Sequence, residues 1–219
     1  MRKVVISASS MPAGRNMSAQ LDYITRVTTY GADMYHLDVV DGEFAPYKTI
    51  DYKYFDQLRE KSNLLFDAHL MVANPEKVVD KYIKAGADMI TVHYEAFQEE
   101  KDLINLLKKI KRKDKMVGLA IDFPTKIKVI DSFLPYLDLV LLLAVKAGKS
   151  GQEFNESVIS KIKYVRSKDE KILISVDGGI NPENAKKCVR AGADILCAGA
   201  YIYENETFEA IEKLKGKNG

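Results

Sequence analysis

Three stretches of the chain follow one plan, and their recurrence restricts the fold more than any other feature. "YGADMYHLD" (30–38), "AGADMITVH" (85–93) and "AGADILCAG" (191–199) each end a helical pattern, turn at a glycine and enter an apolar run through Ala-Asp. Glycine accepts the left-handed conformation in which many helices end, and short apolar runs rich in β-branched residues form strands. Each stretch is therefore a helix-to-strand junction, and their repetition points to a reiterated α/β unit.

The chain between them keeps alternating. Strand-like runs occupy 3–8, 34–38, 64–70, 89–93, 115–121, 138–145, 171–177 and 194–199. Helical patterns separate them, among them 18–30, 75–85, 101–112, 157–167 and 182–191. Several of the strands are apolar throughout, which suits strands covered on both faces. Eight strands alternating with helices predict one α/β domain, a (β/α)8 TIM barrel spanning residues 1–219. An open doubly wound sheet is disfavoured, because no Gly-x-Gly-x-x-Gly follows the first strand.

Composition removes other classes. A net charge of +2 from 33 basic and 31 acidic residues leaves no nucleic-acid or membrane footprint. The longest apolar run, "LVLLLAV" (139–145), falls far short of the roughly 20 residues of a membrane span. The start "MRKVVISASS" has no long apolar stretch of the signal-peptide kind. Cys188 and Cys197 fall in a predicted helix and a predicted strand, as buried thiols of a reducing, cytoplasmic setting do.

The chemistry-bearing segment is "MYHLDVVDGEF" (34–44). His36 and Asp38 stand two apart on a predicted strand and so share a face. Catalytic groups of a TIM barrel lie at the C-terminal ends of its strands. All three histidines, His36, His69 and His93, are expected at or near such ends, and Asp38 and Asp177 are expected to close the second and seventh strands. Two imidazoles and two carboxylates converging there suit one divalent ion: Zn²⁺, Mn²⁺, Fe²⁺ or Co²⁺. Opposite them, "AGKSGQ" (147–152), "DGG" (177–179) and "AGA" (198–200) follow the last three strands. Glycine loops there let backbone amides approach a phosphate.

"YHLDVVDGEFAP", "DAHLMVANPE", "GADMITVHYEA" and "SVDGGINPENA", in this order, resemble the ribulose-phosphate 3-epimerase family over roughly residues 3–203. The resemblance implies metal ligation by His36, Asp38, His69 and Asp177, with Asp38 and Asp177 as the acid–base pair. It implies a phosphorylated ketose substrate contacted by Ser9, His69, Met71, Gly148, Lys149, Ser150, Gly151, Gly178, Gly179, Gly199 and Ala200, and a homo-oligomer, dimeric or hexameric. His93 is no ligand in the family pattern and is expected beside the site, while Asp41 is expected to cap its loop. The chain departs from the family in the first loop "SSMPAGRN" (9–16), in Val40 and Leu143 where the family carries Met, in Lys146 and Lys149 of the lid, and in Ala200 where the family has Ser. The expected reaction is interconversion of ribulose 5-phosphate and xylulose 5-phosphate. The alternatives are a longer ketose phosphate, such as allulose 6-phosphate, and a non-catalytic sugar-phosphate binder. A decarboxylase of the orotidine-phosphate type needs a lysine that "LDVVDG" lacks.

Overall fold

The computed structural model describes residues 4–49, 51–149 and 151–216. Eight parallel strands close into a barrel in chain order: β1 (Val5–Ser9), β2 (Met34–Val40), β3 (Leu65–Met71), β4 (Met89–His93), β5 (Met116–Ile121), β6 (Leu139–Leu143), β7 (Leu173–Asp177) and β8 (Ile195–Ala198). The helices are α1 (Met17–Thr29), α2 (Phe55–Lys61), α3 (Pro75–Lys84), α4 (Glu100–Lys111), α5 (Val158–Lys168), α6 (Pro182–Ala191), α7 (Ala200–Glu204) and α8 (Thr207–Leu214).

Two expectations change. The crossover from β5 to β6 carries two 3-10 turns, Ile127–Ser132 and Leu134–Tyr136, in place of an α-helix. Pro135 lies inside the second turn, where it cannot donate to a continuing α-helical ladder. Strand β2 also runs on to Val40 and is buried throughout. His36 and Asp38 therefore sit within the strand and not at its end.

Alternation along β2 sorts its side chains into two cores. Tyr35, Leu37 and Val39 join the larger core between strands and helices. Met34 joins Met89, Leu139, Leu141, Ile195 and Cys197 inside the barrel. His36 and Asp38 share that inward face one and two layers higher, and both are buried.

The recurring Gly-Ala-Asp acquires a physical role. Gly31, Gly86 and Gly192 have positive φ of 85°, 100° and 116°, the conformation expected of a helix stop. The Asp then caps the preceding strand: Asp33, Asp88 and Asp194 accept from the backbone N–H of Ile6, Phe66 and Ile174 at 2.9, 2.9 and 3.0 Å. Asp138 does the same for Val117 at 2.9 Å, although no Gly-Ala precedes it. Each carboxylate also meets a cation: Lys215 for Asp33, Arg59 for Asp88, Lys111 for Asp138 and Arg166 for Asp194. These four clasps pin β1, β3, β5 and β7 at the barrel foot, away from the mouth.

Candidate active site

At the mouth, β2, β3 and β7 bring His36, Asp38, His69 and Asp177 together, with one donor atom from each lying within 4.8 Å of all the others. His36 Nε2 stands 2.9 Å from His69 Nδ1, and Asp38 Oδ1 lies 3.3 Å from that Nδ1 and 3.5 Å from His36 Nε2. Donor atoms that share a tetrahedral first-row ion at about 2.1 Å stand roughly 3.4 Å apart. The donors of His36, His69 and Asp38 thus fit a divalent transition metal in spacing as well as in donor type, with the Asp177 carboxylate within 4.8 Å of each.

Each member is held by its neighbours. The register places Asp67 of β3 beside His36, and His36 Nδ1 meets Asp67 Oδ2 at 2.9 Å. Thr91 of β4 donates to the other oxygen of Asp67 at 2.8 Å. Ser9 donates to Asp38 Oδ2 at 2.7 Å, and the Asp38 N–H donates to Ser10 Oγ at 2.9 Å. His69 Nε2 meets His93 Nε2 at 2.8 Å, and His93 Nδ1 meets Glu95 Oε2 at 3.1 Å. His93 is wholly buried. It lies beneath the mouth and not at the rim, in direct contact with His69.

Environment separates the two carboxyls. Burial works to raise Asp38, but the charge of His36, the closeness of His69 and the hydrogen bond from Ser9 bring it below its ordinary value. Asp177 is raised to about 7, first by burial and then by the charge of Asp38. The imidazoles diverge as well. Burial would lower His36, but Cys197, Asp38 and the bond to Asp67 hold it well above the usual range. Burial wins at His69 and takes it down to about 4.

A cavity of about 540 Å³ opens over this cluster. Asp38 and Asp177 reach it, together with Ser9, Met71, Gly148, Lys149, Gly151, Gly178, Gly179, Gly199 and Ala200. His36 and His69 are wholly buried behind these carboxyls and do not line the cavity, so His69, expected to touch the substrate, does not reach it. Ser150 lies outside the described residues. Close packing explains Gly178 and Gly148 on the β6–β8 side, while Gly151 has open space beside it. A Cβ on Gly178 would come 2.3 Å from Val145 Cγ2, and one on Gly148 would come 2.5 Å from Ala45 Cβ. Gln152 closes the lid by donating to the carbonyls of Lys146 and Lys149 at 2.7 and 2.8 Å. Asp41 ties two loops together by accepting from Glu43, Phe44 and Ala73 at 2.8, 2.9 and 2.8 Å.

Sequence reasoning missed Asp67, Thr91 and Glu95, as well as Asn184, Phe154 and Tyr201 of the cavity wall. Asp67 and Glu95 had a local signal: each lies two residues from a histidine, in "DAH" and "HYE".

A closed barrel whose mouth gathers two imidazoles and two carboxylates around one point defines a class, the (β/α)8 proteins with a divalent-metal type of centre. The chain matches the ribulose-phosphate 3 epimerase family over residues 5–203 and belongs to that family. It is 40% identical over 192 residues to a ribulose-phosphate 3-epimerase of Bacillus subtilis (strain 168), across 85% of this chain and 87% of that protein. It is 34% identical over 217 residues to the ribulose-phosphate 3-epimerase of Chlamydia muridarum, across 96% and 93% of the two chains. A solved 3-hexulose-6-phosphate synthase shares the fold, with a TM-score of 0.72 over 100% of both chains at 18% identity.

Proposed function

We propose that the chain is an isomerase that epimerises ribulose 5-phosphate and xylulose 5-phosphate at the carbon beside the ketone. The reading is carried by two carboxyls, the buried Asp38 of β2 and the half-buried Asp177 of β7, which meet at the cavity floor within 4.8 Å of the imidazoles. Inverting this carbon requires removing a proton from one face and returning one to the other. One carboxylate takes the proton and leaves a planar enediolate, and the opposed carboxyl then donates its own. In the reverse direction the two exchange roles.

His36, Asp38, His69 and Asp177 would hold the divalent ion. When bound, such an ion supplies positive charge that stabilises the enediolate oxygens. Ser9 orients Asp38 through its 2.7 Å bond. Met71 and Leu143 wall the cavity and exclude water from the reacting carbon. The backbone of Gly178, Gly179, Gly199 and Ala200, with the lid from Gly148 to Gly151, would receive the phosphate. Lys146 and Lys149 face the same cavity and would offset the hydroxyl absent at Ala200.

The same reading has residues 1–219 as one barrel domain working as a homo-oligomer in the cytoplasm. It is supported by the family and by two buried free cysteines, Cys188 and Cys197. No helix among the described residues is long and apolar enough to cross a membrane.

The test is turnover of a panel of ketose phosphates in D₂O by protein reloaded with each of several divalent ions. Ribulose 5-phosphate should be the preferred substrate, and its product should carry solvent deuterium at the epimerised carbon. Complete retention of the original hydrogen would overturn the two-carboxyl scheme. Preference for a six-carbon ketose phosphate would replace the substrate and leave the scheme standing.

A further inference from the structure

Every ring nitrogen of His69 and His93 is engaged, and the engagements are not independent. His69 Nδ1 belongs to the four-residue centre, while its Nε2 faces His93 Nε2 at 2.8 Å. The two rings lie 20° from parallel with centroids 4.9 Å apart. With the nitrogens this close, that separation means the rings meet edge to edge and not face to face. This is the geometry of an N–H···N hydrogen bond, and the gap holds one proton. Which ring owns it decides whether His69 presents a lone pair or a proton to the centre.

Glu95 decides the matter from the far end. Its Oε2 meets His93 Nδ1 at 3.1 Å. Its Oε1 accepts from the Asp122 N–H at 2.9 Å and from the Thr125 hydroxyl at 2.6 Å. Lys161 of α5 steadies the same loop, donating to the carbonyls of Asp122, Phe123 and Thr125 at 2.9, 2.7 and 2.8 Å. With Oε1 taken by two donors the Glu95 carboxylate is held ionised, and its Oε2 can only accept. A neutral His93 must then carry its proton on Nδ1 and leave Nε2 bare. His69 must in turn donate from Nε2 and leave Nδ1 bare.

We infer that Glu95, acting through His93, sets the tautomer of His69 and frees its Nδ1 as a donor for the divalent ion. Both are positioning residues, a two-step counterpart of the direct bond from Asp67 to His36. Outer partners of metal-binding imidazoles tune affinity by 10- to 100-fold when they are lost. Phe44 packs on His93, with centroids 4.8 Å apart, so His93 cannot swing away to find another partner without losing that contact.

The inference rests on the centre holding a divalent ion, and the experiment separates the two. Long-range ¹⁵N–¹H spectra of metal-free wild-type protein should show His69 protonated at Nε2 and His93 at Nδ1. A proton on His69 Nδ1 overturns the inference whatever the centre binds. Chelator competition with Zn²⁺ should then give Glu95→Gln an affinity about 10- to 100-fold below wild type, at an unchanged thermal midpoint. An affinity within threefold of wild type also overturns it. Failure of the wild type itself to bind a stoichiometric ion would instead remove the centre, while the spectra still report on Glu95. If Glu95→Gln does not fold, the wild-type spectra alone decide.

Discussion

The two sides of the barrel mouth are built differently. The β2–β4 side presents side chains fixed within strands: His36, His69 and His93 are wholly buried, and carboxylates hold the first and the last. The β6–β8 side presents backbone, with glycines at positive φ and a loop closed by one glutamine. Charged chemistry demands fixed atoms, because a buried polar group that loses its partner costs about 1–3 kcal/mol. Recognition of an anion by backbone N–H groups demands close approach and little else. The expected departures from the family pattern follow this division only in part: Lys146, Lys149 and Ala200 lie on the loop side, Val40 closes β2 and the first loop follows β1, while the four convergent residues are intact.

Asp177 joins the two sides, standing on β7 while belonging to the His–Asp centre. Asp177→Asn should therefore have the largest effect, a loss of epimerisation of about 10³-fold or more. Metal content must be measured alongside, since loss of the ion would mimic loss of the acid–base group. A metal-loaded variant with near-normal turnover would dissolve the distinction between the sides.

A break confined to the loop side comes next. Gly148 has φ 92° and abuts Ala45, so Gly148→Ala combines strain with a clash. Strain of this kind costs about 1–3 kcal/mol. The lid should disengage, raising KM for the sugar phosphate roughly tenfold, while bound metal stays stoichiometric by elemental analysis. Metal loss in this variant would show that the sides are not separable.

The smallest effect sharpens the comparison. Replacing Lys146 and Lys149 together by alanine should raise KM about threefold to tenfold with little change in kcat, as expected when exposed charges guide an anion. Unchanged kinetics would assign anion recognition to the backbone alone.

The fold and the shared face of His36 and Asp38 are readable because both follow from periodicity, whereas the choice of His69 over His93, and of Asp177, comes from the family resemblance. The helix-to-strand junctions recur, and His36 and Asp38 share a face by a spacing of two. What lay beyond reading is set by register between strands. Asp67 serves His36 only because β3 aligns it there, and Glu95 reaches the loop of Asp122 and Thr125 across the next strand. The β5–β6 crossover carries no helical pattern of its own in the sequence, and the general alternation gives way there to two 3-10 turns around Pro135. The Asp of each Gly-Ala-Asp read as the start of a strand, whereas its carboxylate serves the strand before.

The clasps govern how this chain can be recombined with its relatives. Each clasp joins a cation on one helix, the odd-numbered strand after it, and the aspartate that opens the next even strand: Arg59 with Phe66 and Asp88, Lys111 with Val117 and Asp138, Arg166 with Ile174 and Asp194. The barrel is therefore divisible in pairs of strands and not singly. A chimera whose crossover falls just after β2, β4 or β6 inherits each of these three groups from one parent. A crossover between an odd strand and its even partner splits a group between parents that never shared it. The fourth group joins Lys215 to Asp33 and Ile6, so its two ends should come from the same donor.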